Sequence, residues 1–107
     1  MGGVLHIGPD FSSTTKTSSY ILTASDIGTL VQTNTTVTVD QDIFTAGDAI
    51  TIYNNSGSNI TITQGSNVTF YLAGTATTGS RTLAQKGVAT VLCVASNAFV
   101  VSGGGLT

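Results

Sequence analysis

The side chains that could do chemistry are few, and they are far apart in the sequence. The chain has one cysteine and one histidine, Cys93 and His6. A cysteine becomes a nucleophile when a neighbouring base or cation lowers its thiol pKa. His6 lies near the N-terminus between Leu5 and Ile7, and no motif brings it to Cys93. Cys93 itself lies in residues 88–95, the most continuously apolar run in the chain, which is typical of a buried strand.

Three of the five acidic residues lie in one loop, residues 40–48. Asp40, Asp42 and Asp48 suggest a calcium site, because Ca²⁺ takes several carboxylate and carbonyl oxygens. The spacing lacks the alternating acids, central glycine and terminal glutamate of the helix–loop–helix site. Aspartate is also a common turn residue, because its carboxylate accepts local backbone hydrogen bonds. Turn chemistry is favoured, a bound cation stays an alternative, and no metal ligands or cofactors are predicted.

Other catalytic motifs are missing. Glutamate and tryptophan are absent, which argues against a glycosidase with paired carboxylates in an aromatic cleft. There is no G-x-S-x-G sequence for a serine nucleophile, and no glycine-rich phosphate loop between a strand and a helix. The sequence therefore predicts a protein that is not an enzyme.

Charge is scarce along the whole chain. Charged residues are 7% of the 107, the net charge is -2, and Lys16, Arg81 and Lys86 are the only lysine and arginine residues. Three scattered cations argue against nucleic-acid binding, which needs many phosphate contacts. No apolar stretch has membrane length and residues 1–6 lack a secretory pattern, so we expect synthesis in the cytoplasm and no membrane partner. A weakly charged surface repels neighbours little, which favours assembly.

The rest of the chain is organised around residues 49–72. Apolar residues alternate with polar ones there, a period of two that indicates strands, and polar turn residues separate three such segments. We expect these segments to form an antiparallel meander. Residues 35–39 alternate in the same way, and Ser96-Asn97 is a two-residue hairpin candidate. Residues 88–95 are apolar on both parities, so one face should meet the core and the other a second layer or a symmetry mate.

These segments predict one all-β domain, residues 20–107, preceded by an extended N-terminal arm, residues 1–19. We expect an antiparallel β-sandwich, jelly-roll-like, of about eight short strands, ending in a loose tail at residues 103–107. The serine- and threonine-rich arm cannot build a core of its own. Its isolated apolar residues Leu5, Ile7 and Phe11 are candidate anchors on a neighbouring subunit. In the small-residue loop 73–81, we expect Thr75, Thr77, Thr78 and Arg81 to contact a partner.

From Tyr20 onward the chain resembles a small β domain of tailed-bacteriophage virion proteins, found both in capsid decoration (cement) proteins and in tail-fibre modules. The segments that carry the resemblance are 20–23 (YILT), 26–31 (DIGTLV), Phe44 with 46–55 (AGDAITIYNN), 60–62 (ITI) with Gly65-Ser66, 83–90 (LAQKGVAT) and 99–103 (FVVSG). Tail-fibre versions follow a longer shaft, so a chain of this length is more similar to a decoration protein.

The resemblance implies a non-enzymatic virion protein on the capsid surface. Such proteins are commonly homotrimers that bind the outside of the phage head and clamp neighbouring major capsid subunits. The arm would then be the strap onto the capsid. The alternative is a tail-fibre or receptor-binding module that recognises a host surface glycan or protein through loops 73–81 and 40–48.

Overall fold

The structure, a computed structural model, describes residues 12–107, and within them it is 55% strand and 3% helix. The all-β prediction is confirmed. Nine strands and one turn of 3-10 helix, Ala24–Asp26, follow one another along these residues. The strands are β1 (Ser13–Lys16), β2 (Tyr20–Ile21), β3 (Leu30–Thr33), β4 (Val37–Val39), β5 (Ala49–Asn54), β6 (Ile60–Gln64), β7 (Thr69–Leu72), β8 (Arg81–Ala95) and β9 (Ala98–Leu106).

The first six strands alternate between two parallel ladders. One ladder is β1-β3-β5 and the other is β2-β4-β6, so each strand pairs with the strand two places along the chain. In the first turn the offset is 17 residues in both ladders, with Ser13 beside Leu30 and Tyr20 beside Val37. The chain therefore winds as a short coil.

The expected antiparallel arrangement is wrong for most of the sheet, since five of the eight strand pairs within residues 12–107 are parallel. The meander is also wrong. The three strands of residues 49–72 form where they were predicted, but none pairs with another of the three: β5 pairs with β3 and β8, β6 with β4 and β8, and β7 with β9. The polar segments between these strands carry the chain across to another part of the sheet instead of reversing it in place.

Strand β8 closes one end of the coil. Its first residues, from Arg81 to Leu83, pair antiparallel with β6, and its later residues, from Val88 to Leu92, pair antiparallel with β5. One long strand thus joins the two ladders into a nearly closed, barrel-like sheet. Strand β9 pairs antiparallel with β8, and β7 pairs parallel with β9.

The hairpin between β8 and β9 is confirmed: residues 96–97 form the turn, and Asn97 has the left-handed φ of 55° that such turns need. The loose C-terminal tail is wrong, because β9 continues to Leu106, whose partner is Leu83. Gly103 lets the two backbones approach closely there. A Cβ on Gly103 would overlap the Val88 carbonyl oxygen.

The core lies on the inner faces of both ladders. The alternating residues predicted to point inward are buried, and all belong to one hydrophobic cluster: Val37, Val39, Ile50, Ile52, Ile60, Ile62, Val68 and Phe70. Phe44 and Phe70 both pack edge-to-face on Phe99, with ring centroids 5.9 and 6.0 Å away. The alternation of apolar and polar residues in the sequence is therefore enough to distinguish the inner face of these strands from the outer one.

The predicted arm, residues 1–19, falls only partly within the structure. Leu5, Ile7 and Phe11 lie outside the described residues. The later part of the arm contains β1, which is the edge strand of its ladder and pairs with β3 along its length. Its last residues lead into β2, and Lys16 Nζ lies 4.1 Å from the centroid of the Tyr20 ring.

Candidate functional site

The loop predicted to contact a partner, residues 73–81, is a folded surface turn. Thr75, Thr77 and Thr78 are exposed, and Arg81 is half-buried at the start of β8. The Thr75 hydroxyl donates to the Leu72 carbonyl oxygen at 2.9 Å and accepts from the Thr77 backbone N–H at 3.1 Å. Three of the four predicted contact residues therefore lie exposed in one turn, whose shape the Thr75 hydroxyl holds, and the fourth, Arg81, lies in the strand that follows.

The acidic loop is held by turn hydrogen bonds. The Asp42 and Asn97 side chains form a link to the β8–β9 hairpin, in which Asn97 Nδ2 donates to Asp42 Oδ1 at 3.1 Å and Asn97 Oδ1 accepts from the Asp42 backbone N–H at 2.8 Å. Asp48 Oδ2 accepts from the Thr45 backbone N–H at 2.9 Å. Among the described residues no three metal-ligating side chains are grouped. The Asp48 contact is the local acceptor role that the turn interpretation predicts, whereas the Asp42 contact joins the loop to a hairpin distant in sequence.

Cys93 is buried in β8, as its apolar surroundings indicate. Its Sγ lies 3.2 Å from the Ala95 carbonyl oxygen. Burial raises the pKa of the Cys93 thiol, and the nearby Asp48 carboxylate raises this pKa further. The thiol is therefore held in its neutral, unreactive form, which is the opposite of what nucleophilic catalysis needs. His6, the other half of the catalytic hypothesis, lies outside the described residues.

Asp26 is buried, and its hydrogen bonds are structural. It ends the 3-10 turn, and its Oδ2 accepts from the Tyr20 hydroxyl at 2.7 Å and from the Thr23 backbone N–H at 2.8 Å. These contacts close the turn, because the Asp26 carboxylate caps the N–H of Thr23 at its start. Burial raises the pKa of Tyr20, and the hydrogen bond to the Asp26 carboxylate adds to this rise. Residues 12–107 contain no pocket beside this pair or elsewhere.

The most exposed apolar surface lies on the outside of the sheet. On β8, Ala89, Val91 and Cys93 point inward, whereas the alternate residues Val88, Leu92 and Val94 are 44, 38 and 45% exposed. We call the outward surface of β5, β7, β8 and β9 the outer apolar face. It is made by Val88, Leu92 and Val94 together with Ala49 and Tyr53 on β5, Tyr71 on β7 and Val100 on β9.

Strand register makes the outer apolar face continuous. Tyr71 pairs with Val100, Val100 with Leu92, and Leu92 with Ala49, so one row of side chains crosses four strands. Paired residues of neighbouring strands lie on the same side of a sheet. The outward positions of β5, β7, β9 and β8 from Val88 to Val94 carry no charged residue. Residues 88–95 are apolar at both inward and outward positions, which predicts that the outward side of β8 is covered. Within the described residues this side is exposed.

Fold and surface together define a small all-β protein with a nearly closed sheet, an uncharged apolar outer face and polar loops at its rim. Comparison of the chain with protein-family models, with curated protein sequences and with solved structures finds no match. Within residues 12–107, no helix is long and apolar enough to span a membrane.

Proposed function

We propose that the chain is a non-enzymatic structural protein of a phage virion. In this proposal it is a capsid decoration (cement) protein, made in the host cytoplasm, that binds the outside of the head as a homotrimer and clamps neighbouring major capsid subunits. The observation that carries the proposal is the outer apolar face, because the largest exposed apolar patch of a protein is often a site of protein–protein interaction. Such a surface favours a protein that works while bound to other protein.

The two ladders supply the rigid block that a clamp needs. We propose that they act as the two layers of the expected sandwich, since residues of both, such as Ile52 of β5 and Ile62 of β6, belong to one buried cluster. A part that binds assembled shell subunits and not dissociated ones stabilises the shell by mass action. Contacts with several subunits at once add the gain of high effective concentration. No catalytic group, cofactor or metal takes part in this mechanism.

The experiment is binding to expanded heads that lack the protein. Purified chain is mixed with heads, the heads are sedimented, and the bound copies are counted by quantitative mass spectrometry against the major capsid protein. We expect a saturable copy number comparable to that of the capsid subunits. Absence of binding, or a handful of copies per particle, would contradict decoration.

Two variants locate the shell contact. Deletion of residues 2–11 removes the predicted anchors Leu5, Ile7 and Phe11 and leaves intact the nine strands of residues 12–107, including β1. We expect it to weaken head binding at least tenfold if the arm is the strap. The matched loop variant replaces Thr77 and Thr78 by alanine, which leaves the Thr75 hydroxyl contacts intact. Unchanged binding by both variants would reject both predicted contacts.

The alternative function is a tail-fibre or receptor-binding module. The exposed side chains of Thr77 and Thr78 favour it, because a turn that presents both hydroxyls offers hydrogen-bonding groups to a host glycan or protein. A handful of copies per particle, with binding to host cells that is lost when these threonines are replaced, would support this alternative.

A further inference from the structure

We propose that the outer apolar face is covered by a second copy of this chain, related by a two-fold axis that sets the two β8 strands antiparallel. This inference rests on the proposed function in one respect, that the face is buried in an assembly. It names the occupant of the face, and it leaves the arm and the loop 73–81 free to contact the shell.

The outer apolar face is suited to pair with itself. A two-fold contact brings the same patch of both copies together, so each side must tolerate its own chemistry. The outward positions from Val88 to Val94 alternate apolar side chains with Thr90, and those of β9 are Ala98, Val100, Ser102 and Gly104. With no charge at these positions, two copies meet without like-charge repulsion. A partner that placed its own charge here would bury that charge without an opposite partner, which is costly.

The ends of the face carry opposite charges, and these select the antiparallel orientation. Lys86 lies two residues before Val88, where its Nζ donates to the Asn55 carbonyl oxygen at 2.7 Å, just after β5 ends. At the other end, Asn97 Nδ2 of the β8–β9 hairpin donates to Asp42 Oδ1 at 3.1 Å. An antiparallel pair therefore places the lysine end of each copy over the aspartate end of the other. A parallel pair would place like charges together.

The size of the face sets the expected strength. Four neighbouring strands span roughly 20 Å at about 4.8 Å each, and the six residue steps from Val88 to Val94 span about 20 Å. This footprint of about 400 Å² per partner is about half of what a standard specific interface buries, and it falls in the range of weak, transient contacts. We therefore expect a weak dimer with a dissociation constant of about 0.1–1 mM, so the measurement must cover protein concentrations from about 10 to 1000 μM.

The test is the mass of the purified chain in solution, by sedimentation equilibrium and native mass spectrometry. The monomer mass is 10.8 kDa. We expect a concentration-dependent dimer, or an even-numbered assembly if the proposed three-fold contact also forms. The substitution Leu92→Lys puts a charge at the centre of the interface in each copy, and we expect it to raise the dissociation constant about a hundredfold or more. The matched control is Ile21→Lys, an exposed apolar position on β2, 52% exposed and outside the face.

A charge swap tests the orientation. Lys86→Asp and Asp42→Lys should each weaken association about threefold to tenfold, and the double variant should recover most of the loss. A monomer at every concentration, an assembly with an odd copy number only, or equal effects of Leu92→Lys and Ile21→Lys would overturn the inference. Circular dichroism of each variant separates lost association from lost folding.

Head binding separates this inference from the proposed function. A chain that stays monomeric in solution but decorates heads would refute the two-fold contact and leave the proposed function standing. A chain that dimerises through Leu92 but binds no heads would refute the proposed function and leave the two-fold contact standing.

Discussion

Replacement of Asn54 by alanine should destabilise the protein strongly, although in the sequence Asn54 belongs to a run of polar residues that is typical of an exposed loop. The residue is fully buried at the end of β5. Its Nδ2 donates to the carbonyl oxygens of Ser58, Leu83 and Ala84 at 2.7, 3.0 and 3.1 Å. Its Oδ1 accepts from the Ser56 N–H at 3.0 Å and from the Ser56 hydroxyl at 2.7 Å. One amide thus fixes the corner that leads from β5 to β6 and ties this corner to β8.

The magnitude follows from these contacts. A typical hydrogen bond contributes about 1 kcal/mol net, and a buried group left without a partner costs about 1–3 kcal/mol. Asn54→Ala removes both polar ends of the amide and leaves the Leu83 carbonyl oxygen without this donor. We expect a loss of about 3 kcal/mol in the free energy of unfolding, from a total of about 5–15 kcal/mol for a domain. With a urea m-value of about 1–1.5 kcal/mol/M, the unfolding midpoint should fall by about 2–3 M.

Urea titration followed by circular dichroism measures this change, and Asn59→Ala is the matched control. Asn59 is exposed in the same connection between β5 and β6, so its replacement should change the free energy of unfolding by less than about 0.5 kcal/mol. A loss below about 1 kcal/mol for Asn54→Ala, or equal losses for both variants, would refute the idea that this amide holds the corner.

Three further outcomes are expected. Gly103→Ala should destabilise by about 2–4 kcal/mol in urea titration, because its φ is +150° and an added Cβ would overlap the Val88 carbonyl oxygen; Gly104→Ala, which meets nothing within 4 Å, is the control and should be nearly neutral. Cys93 should react with a thiol reagent far more slowly in the native protein than in urea at neutral pH, and fast native labelling would contradict its burial. Folding raises the pKa of the Cys93 thiol from 9.0 and that of the Tyr20 hydroxyl from 10.0, so the unfolded chain loses these protons first. The stability that these two groups contribute should therefore begin to fall near about pH 8 and fall further as the pH rises, as pH-dependent thermal melting will show.

Strand positions were predictable from the sequence, but strand partners were not. The period of two in residues 49–72 depends only on which side chains face the core, and the burial of Ile50, Ile62 and Phe70 follows it. The same alternation fits parallel and antiparallel neighbours equally well. Polar residues between strands were interpreted as tight reversals, but the buried Asn54 makes a corner that crosses between ladders. Only contacts distant in sequence, such as Asn54 with Leu83, distinguish the two arrangements.

The C-terminal glycines were misjudged for a related reason. Residues 103–105 lack side chains to pack, so no hydrophobic pattern indicates a strand there. The absence of a side chain is what lets β9 approach β8 here, because a Cβ on Gly103 would collide with the Val88 carbonyl oxygen. The outer apolar face did leave a signal, the double parity of residues 88–95. That pattern predicts that the strand is covered on both sides, but it does not indicate which protein or segment covers it.

The two ends of the coil differ in a way that directs association to the outer apolar face. One end is closed by β8, which pairs with both ladders. At the other end, the first ladder ends within residues 12–107 at β1, which is four residues long, polar and ends in Lys16. Short length and a lysine are the features that discourage strand addition at a sheet edge. Because edge pairing is disfavoured at this short polar strand, we expect another protein to bury more apolar area around Leu92 on the outer apolar face than at β1.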